Sequence, residues 1–442
     1  MSSSAASDFF YQRRVLVVGL GLHGGGEAAV RWLCRHGAIV RVTDKKTKAE
    51  LATTLRKLRG LPITWRLGRH DRRDFAWAEC IVQNPGVPDT LPELLWARRH
   101  QIPIENEASI FFARCPGPIM GVTGTRGKTT TTMLIGAMLR AAKRRAVVSG
   151  NVRQVAMLDY LDRLTAKTPV VLELSSFQLE RLPVVQRSPH VAVLTNLYVD
   201  HLNRYGTMTR YAAAKYNLVR FQQPTDIAIL NAESAWCRAA AKLTSATIWW
   251  FQTAGRRGQQ GITIDRDWIV AYTTRRAQRV MPISTIMVAG RHQRENVLAA
   301  TAAALASGVP AANIRIAVRS FSGVPYRQEL IRHWRGHDFI NDTTATTPDG
   351  TLAAMEVFPK GFFILGGTDK QLDYRPLARY LHRHQIPFVL LPGTGTAKLI
   401  NALRRAGDRR VRRPVLSMEA AVRQATSQAK PGQPIVLSPG AA

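Results

Sequence analysis

The chain has 442 residues, 45% of them hydrophobic, a length that corresponds to about three domains with substantial cores. No apolar run reaches the about 18 residues that a membrane-spanning helix needs, which argues against a membrane protein. The opening stretch, MSSSAASDFF, lacks the basic and apolar parts of a signal peptide, so we expect a cytoplasmic protein.

The net charge bears on possible binding partners, and the cysteines bear on disulfide or zinc binding. The net charge of +32 arises from 62 Lys and Arg against 30 Asp and Glu, and nucleic acid is one candidate partner for it. The basic residues are scattered in short groups along the whole chain without a base-stacking aromatic motif, so we favour a diffusely basic surface. The four cysteines are far apart and form no CxxC pair, which predicts reduced thiols rather than a disulfide or zinc framework.

The first segment opens with a nucleotide-binding pattern. An apolar strand from Val15 to Val18 leads into glycines at positions that fit G-x-G-x-x-G, namely Gly19, Gly21 and Gly24. A helix-like stretch follows, and a second apolar strand ends at Asp44, 20 residues after the third glycine. This order is the Rossmann fingerprint and predicts a nucleotide at the glycine loop. The alternative is a tight strand-to-helix turn without a ligand.

The middle segment contains a second candidate phosphate loop, GVTGTRGKTTTT, from Gly121 to Thr132. It departs from the G-x-x-x-x-G-K-[ST] spacing, whose first glycine would fall on Val122. An apolar strand precedes it and apolar residues at helical spacing follow it, an arrangement that aims backbone N–H groups at an anion. Lys128 would then contact phosphates and Thr129 would bind Mg²⁺. The alternative is a solvated turn before an ordinary helix.

The remaining segments predict the fold class. Strands are predicted for PVVLELSS and VAVLTNL in the middle segment, and for HDFINDT, KGFFILGGTDK, IPFVLLPG and QPIVLSPG in the last segment. DGTLAAMEVF, LARYLHRH and AKLINALRRAG between them predict helices. This alternation predicts three α/β units with mostly parallel sheets. Pro-rich RCPGPI and the stretch SFSGVPYR mark the expected boundaries, which gives domains at 1–115, 116–323 and 324–442.

Several blocks resemble the Mur ligases, the ATP-dependent amide ligases of peptidoglycan synthesis. G-x-x-G-T-x-G-K-T is that family's own phosphate loop, which accounts for the altered spacing. The other matching blocks are LELSSFQLE, TNLYVDHLNRYGTM, YAAAKYNL, NDTTATTPDGTLAAM, ILGGTDKQLDY and VLSPGAA. The resemblance covers nearly the whole chain. It implies Rossmann-like N- and C-terminal domains around a central P-loop-type ATPase domain.

The blocks most resemble the members that add D-glutamate to UDP-N-acetylmuramoyl-L-alanine through an acyl phosphate. The resemblance implies ATP as co-substrate, two Mg²⁺ ions and a monomeric cytoplasmic enzyme. It implies that the first glycine loop holds the UDP diphosphate rather than a dinucleotide. The residues implied to bind the UDP substrate are Gly19, Gly21, Gly24, Asp44, Asn151, Ser175 and Gln178, and those implied to bind the amino acid are Thr346 and Lys370.

The resemblance also implies an ATP and metal site. The residues implied to bind ATP are Gly124, Thr125, Gly127, Lys128, Thr129, Thr130, Asn296, Arg327 and Asp342. The metal ligands would be Thr129, Glu173, His201 and Lys215, and the catalytic residues Lys128, His201 and Lys215. A protonated lysine cannot ligate a cation, so Lys215 would have to be carbamylated, as in the family. The alternatives are a strand-end carboxylate at Glu173, a structural histidine at His201 and a surface lysine at Lys215.

Two departures from the family pattern bear on the second substrate. Thr344 stands where the family usually has a lysine, and the sequence stops at Ala442 before a serine, a phenylalanine segment and a last helix. We therefore expect a weakened amino-acid site. Other readings are a related ligase for another amino acid, a folylpolyglutamate-synthase-like enzyme, a nucleotide-binding homologue without turnover and an NAD-dependent oxidoreductase. The Ser-Ser-Phe-Gln block argues against the folate enzyme, and the second phosphate loop argues against the oxidoreductase.

Overall fold

The computed structural model describes residues 9–21, 25–152, 155–287, 290–369, 372–411 and 413–441. They fold into two compact units, one of residues 1–286 and 292–320 and the other of residues 287–291 and 321–442. Within the described ranges, no helix has both the length and the apolar character needed to cross a membrane. The domain boundaries expected from the sequence stay a prediction.

Most strands are short apolar runs. In the first two sheets most of them are buried on both faces, as is typical of parallel sheets covered by helices. In chain order they are β1 Arg14–Val18, β2 Ile39–Asp44, β3 Ile63–Leu67, β4 Cys80–Gln83, β5 Ile104–Glu105, β6 Ile119–Thr123, β7 Val147–Gly150, β8 Val170–Glu173, β9 Val191–Leu194, β10 Ile227–Asn231, β11 Thr247–Phe251, β12 Gly261–Asp265, β13 Trp268–Tyr272, β14 Ala277–Pro282, β15 Glu329–Trp334, β16 His337–Asn341, β17 Phe362–Leu365, β18 Phe388–Leu390 and β19 Ile435–Leu437.

The helices connect these strands, and many begin at a Ser, Thr, Asp or Asn whose side chain accepts a backbone N–H of the first turn. In chain order they are α1 Gly25–Arg35, α2 Ala52–Lys57, α3 Arg72–Trp77, α4 Pro92–Arg99, α5 Glu107–Arg114, α6 Lys128–Ala141, α7 Leu158–Leu161, α8 Ser176–Leu179, α9 Leu182–Val185, α10 Leu202–Tyr205, α11 Met208–Arg220, α12 Ala235–Ala240, α13 Arg291–Ala306, α14 Ala311–Arg319, α15 Pro348–Val357, α16 Arg375–Arg383, α17 Thr394–Arg405 and α18 Met418–Gln428. Short 3₁₀ helices cover Ala241–Leu243 and Ile283–Thr285.

The first sheet is parallel, with the strand order β3-β2-β1-β4-β5. The order reverses between β1 and β4, which is the point at which ligands bind in open parallel sheets. The loop after β1 contains the predicted glycine fingerprint, so the fold places that loop at the expected binding crevice.

The second sheet has the order β14-β13-β12-β11-β10-β9-β6-β8-β7. It is parallel from β7 to β12, and β13 and β14 add antiparallel strands at one edge. Strand β6 lies between β8 and β9, so the carboxyl ends of these three strands are neighbours. The sequence analysis did not predict the antiparallel edge.

The third sheet belongs to the second unit and has the order β15-β16-β19-β17-β18. All its pairings are parallel except that of β15 with β16. The strands and helices predicted for the last segment are present, and the prediction missed β15 and α18. The structure therefore matches the expected alternation of strands and helices.

Two local predictions are corrected by the structure. The strand expected to include LELSS ends at Glu173, because Ser175 adopts the N-cap position of α8 and accepts the N–H of Gln178. Lys215 is not the surface lysine that the sequence left open as an alternative. It lies in the middle of α11 and is 2% exposed, because the helix packs that face against the central sheet.

The buried carboxyl group of Glu107 connects α5 with the start of α7. Glu107, in the first turn of α5, accepts the backbone N–H groups of Met157 at 2.7 Å and Leu158 at 3.4 Å. Burial raises the pKa of Glu107 to about 7, and the nearby Asp159 acts in the same direction. The protonated form is therefore favoured in the folded protein relative to the unfolded chain.

We expect Glu107→Gln to change how stability depends on pH. The pKa of Glu107 in the folded protein lies above the value of about 4.3 expected in the unfolded chain. Its contribution to folding stability is therefore fully present below about pH 4.3 and is lost as the pH rises to about 7. The stability of the wild type relative to the Gln variant should fall by about 4 kcal/mol over this range, measured by urea unfolding. The exposed Glu50→Gln should change in the opposite direction, because backbone and side-chain hydrogen bonds from Thr47 lower the pKa of Glu50. A difference for Glu107→Gln that does not vary with pH would contradict this assignment.

Candidate active site

The altered phosphate loop connects the buried strand β6 to α6, as the sequence predicts. Lys128 is the first residue of α6, and its Nζ donates to the carbonyl oxygens of Gly124 at 3.1 Å and Thr125 at 2.9 Å. The ammonium group therefore lies over the loop at the N-terminus of a helix, where an anion is favoured. Thr129 is half-buried, whereas Thr130 is 1% exposed, so Thr129 is the hydroxyl closer to the surface of the loop.

The loop glycines are required by backbone conformation and by close packing. Gly124 has φ +152° and Gly127 has φ +81°. A Cβ on Gly124 would lie 1.9 Å from Oγ1 of Thr195, and a Cβ on Gly127 would lie 2.1 Å from Oδ1 of Asn296. Asn296 was predicted to bind the adenine, and the structure places its buried side chain against the phosphate loop, with Nδ2 donating to Gln293 at 3.1 Å.

Lys215 approaches the same loop from α11. Its Nζ donates to Oγ1 of Thr123 at 3.2 Å and to the carbonyl oxygen of Gly124 at 3.0 Å. Burial, assisted by the charge of Lys128, holds the pKa of Lys215 well below its ordinary value. A neutral amine is the nucleophilic form that reacts with CO₂, so this environment fits the predicted carbamylation.

Glu173 ends β8 next to the loop and is 2% exposed. Its Oε1 accepts Nδ2 of Asn151 at 3.0 Å, while the buried Oε2 has no hydrogen-bond partner among the described residues. An unpaired buried carboxylate oxygen is costly, and a metal ion would satisfy it. Asn151 was predicted to bind the UDP substrate, and the structure places its amide on this carboxylate.

His201 lies in the loop after β9, with φ +52° at the N-cap of α10. Its ring contacts Phe177, with 5.0 Å between the centroids, and its Nε2 is 3.5 Å from Oδ2 of Asp200. Burial lowers the pKa of His201, with Lys215 and Lys128 acting in the same direction and Asp200 opposing them. The neutral imidazole favoured by this environment is the form that ligates metal.

These residues fit a divalent cation. Within the part of the chain that the structure describes, no group of three or more His, Cys, Asp and Glu side chains is arranged to hold a metal ion. A carbamate on Lys215 would add the missing oxygen ligand beside Glu173, whose Oε2 is unpaired. The donor set of carboxylate, carbamate and hydroxyl oxygens suits Mg²⁺.

The first glycine loop has the close approaches expected of a Rossmann fingerprint. Gly19 and Gly21 have φ of +80° and +68°, and a Cβ on Gly21 would lie 2.9 Å from Nδ2 of Asn84 in the loop after β4. Asp44 is buried, and its Oδ2 accepts the N–H of Leu20 at 2.7 Å, so its carboxylate holds the glycine loop. The third predicted glycine, Gly24, lies outside the described residues.

Ser175 and Gln178 form a capping box at the start of α8. The amide oxygen of Gln178 accepts both the N–H and the hydroxyl of Ser175 at 2.9 Å, and the Ser175 hydroxyl accepts the N–H of Gln178 at 3.3 Å. Both side chains therefore support the local structure, and their predicted contact with the UDP substrate stays a prediction.

The second unit contains the remaining predicted residues. Asp342 is buried, accepts the hydroxyl of Ser438 at 2.8 Å and the N–H of Gln328 at 3.2 Å, and has a pKa that burial raises to about 6. Arg327 opposes that shift. Thr346 lies close by, its N–H donating to the carbonyl oxygen of Thr344 at 2.9 Å. Lys370 lies outside the described residues.

Several residues at the site were missed by the sequence reasoning. Thr195 and Asn196 contact the phosphate loop, Asn84 lies against the first glycine loop, and Ser438 contacts Asp342. Thr195 and Asn196 belong to the block TNLYVDHLNRYGTM, so the block itself was the available signal. Their contacts with the phosphate loop depend on the order of the strands in the sheet, and the spacing of residues along the sequence does not reveal that order.

Sequence comparison now identifies the family. The profile of the Mur ligase middle domain matches residues 122–304, and that of the Mur ligase MurD-like N-terminal domain matches residues 13–106. UDP-N-acetylmuramoylalanine–D-glutamate ligase of Roseiflexus sp. (strain RS-1) is 42% identical over 439 residues, which cover 97% of this chain and 94% of the relative. The chain belongs to the Mur ligase family.

A second relative supports the same family, and a solved structure supports the fold. The enzyme of the same name from Symbiobacterium thermophilum is 35% identical and covers 98% of this chain and 94% of its own length. Among solved structures, UDP-N-acetylmuramate-alanine ligase MurC from Thermotoga maritima matches with a TM-score of 0.59 at 22% identity, covering 97% of this chain and 96% of that chain. This likeness supports the fold. The predicted family and fold class are confirmed, and the roles of individual residues stay predictions.

We expect Lys215→Ala to be about a hundredfold or more less active than the wild type, because it would lose the carbamate oxygen predicted to bind Mg²⁺. Formate or acetate should restore part of this activity by occupying the same position, as measured by ADP release. The matched control is Lys128→Ala, which lacks a positive charge and should gain nothing from added carboxylates. Full activity of Lys215→Ala in CO₂-free buffer without added carboxylate would exclude the carbamate.

Proposed function

We propose that this Mur ligase joins D-glutamate to UDP-N-acetylmuramoyl-L-alanine and converts ATP to ADP and phosphate. The observation that supports the proposal most directly is the pairing of the phosphate loop with the buried, half-unpaired carboxylate of Glu173 at neighbouring strand ends. The relatives with which the chain shares 35–42% identity carry the name of this ligase. Four free cysteines accord with the reducing cytoplasm, where we place the enzyme.

In the first step, the substrate carboxylate attacks the γ-phosphorus of ATP, and ADP leaves. Lys128 would contact the phosphates and offset the charge that builds up when a carboxylate meets a triphosphate. Thr129, Glu173, His201 and carbamylated Lys215 would hold Mg²⁺, which supplies further charge neutralisation when bound. The positive φ of Gly124 and Gly127 lets the loop backbone approach the phosphates closely.

In the second step, the neutral amine of D-glutamate attacks the carbonyl carbon of the acyl phosphate to give a tetrahedral intermediate. The intermediate collapses to the amide as the C–O bond to phosphate breaks, and the amine proton leaves with the phosphate. The chain's own contribution is to orient the two reactants and to exclude water, because free water would hydrolyse the acyl phosphate. We assign Thr346 and Lys370 to the amino acid, Arg327 and Asp342 to ATP, and Asn151, Ser175 and Gln178 to the UDP substrate.

An ADP-release assay with UDP-N-acetylmuramoyl-L-alanine and a panel of amino acids tests this function. We expect turnover with D-glutamate and little with L-glutamate or diamino acids. Lys128→Ala should lower turnover by about a thousandfold or more without unfolding the protein, because it removes the cation nearest the phosphates. The exposed Lys242→Ala is the matched control and should retain activity. Faster ADP release with another amino acid would reassign the substrate, and an active Lys128→Ala variant would remove the loop from the mechanism.

Thr344 generates a separate prediction about D-glutamate. The residue is half-buried in the loop after β16 and supplies no positive charge where the family usually has a lysine. A charge-assisted hydrogen bond is worth about 1.5–3 kcal/mol, so we expect Thr344→Lys to lower the KM for D-glutamate by roughly tenfold or more. Thr343→Lys places the same charge one residue away and should have a smaller effect. An unchanged KM in Thr344→Lys would show that this departure from the family pattern is neutral.

A further inference from the structure

The phosphate loop is held by side chains from the end of a neighbouring strand. Asn196 follows β9, and its Oδ1 accepts the N–H of Arg126 at 2.9 Å while its Nδ2 donates to the carbonyl oxygen of Arg126 at 3.2 Å. The hydroxyl of Thr195 donates to the same carbonyl oxygen at 2.6 Å. The side chains of two successive residues thus bind both the backbone N–H and the carbonyl oxygen of Arg126 in the loop.

Further bonds extend this contact along both segments. The N–H of Thr125 donates to the carbonyl oxygen of Asn196 at 2.9 Å, and Oγ1 of Thr125 accepts the N–H of Tyr198 at 3.0 Å. The side chains of Thr195 and Asn196 are only 3% and 6% exposed, so leaving their polar groups without a partner would be costly. His201 belongs to the same segment, five residues after Asn196.

The conformation of the loop explains why it needs such support. Arg126 lies between Gly124 and Gly127, both at positive φ, and glycines leave the backbone free to adopt other conformations. A triphosphate requires the N–H groups of the loop to point inwards before it binds. Without side-chain partners for Arg126, the loop would have to be ordered by ATP itself, which would weaken binding.

We propose that Asn196 and Thr195 are positioning residues for phosphoryl transfer. They hold the phosphate loop in its ATP-binding conformation and tie it to the segment that carries His201. The inference rests on the proposed function only in that the loop binds ATP. It does not depend on which amino acid is the second substrate.

The chain offers a matched control for this role. Asn231 ends β10, is 4% exposed, and donates from Nδ2 to the carbonyl oxygen of Thr195 at 2.8 Å. It therefore has the same side-chain chemistry and similar burial to Asn196 and bonds the same segment. Among the described residues, its side chain bonds Thr195 and Glu233 and not the phosphate loop. Asn231→Ala reports the effect of loosening the segment alone.

The experiment compares Asn196→Ala with Asn231→Ala in the full-length protein. Five quantities are measured: the melting temperature, the Kd for MgADP by calorimetry, the kcat, the KM for ATP and the KM for the UDP substrate. We expect Asn196→Ala to raise the Kd for MgADP and the KM for ATP by about tenfold and to lower kcat, with less than about a threefold change in the KM for the UDP substrate. Asn231→Ala should lower the melting temperature by a similar amount and leave MgADP binding within about threefold of the wild type.

Thr195 provides a second test if an Asn196 variant fails to fold. Thr195→Val removes the hydroxyl at nearly constant volume and should weaken MgADP binding, whereas Thr195→Ser keeps the hydroxyl and should recover most of that loss. Equal loss of MgADP affinity in Asn196→Ala and Asn231→Ala, or equal binding by Thr195→Val and Thr195→Ser, would overturn the proposal. MgADP binding decides the matter even if the wild type proves inactive with D-glutamate, so the two proposals fail separately.

Discussion

The parallel pairing of β6 with β8 and β9 is the constraint on which the rest of the site depends. It brings the phosphate loop, Glu173 and the Thr195–Asn196 segment together at the carboxyl ends of these three strands. Residues 70 positions apart in the chain then lie within hydrogen-bond distance, as for Arg126 and Asn196. The strand order places Glu173 and the loop that leads to Lys128, and Lys215 reaches the same loop from α11.

The buried charged groups at the carboxyl ends of these strands are unusual for a protein interior. Lys215 is buried beside Lys128 and has a strongly lowered pKa, while Glu173 keeps one buried oxygen without a partner among the described residues. Each is unfavourable for a protein that only has to fold. Together they suit a site that gains a metal ion, a carbamate and a triphosphate, since those groups supply the missing charge and hydrogen bonds.

The same side chains often serve local structure as well as the ligand assigned to them. Asp44 holds the first glycine loop, Asn151 donates to Glu173, Asn296 packs on Gly127, and Ser175 caps α8 with Gln178. Substitution at these positions therefore changes the shape of the site in addition to any contact with a substrate. For this reason the control variants matter as much as the variants of direct interest.

The sequence by itself determined the family, the fold class, both glycine loops and most strands of the last segment, because these are recorded in local spacing and hydrophobic runs. It misplaced the end of β8 and the burial of Lys215, since both depend on what packs against the segment. It did not identify Thr195, Asn196 or Asn84, and it missed β12–β14 and β15. Only the tertiary structure decided these, because the order of strands in a sheet brings together residues whose separation in the chain carries no trace of their contact.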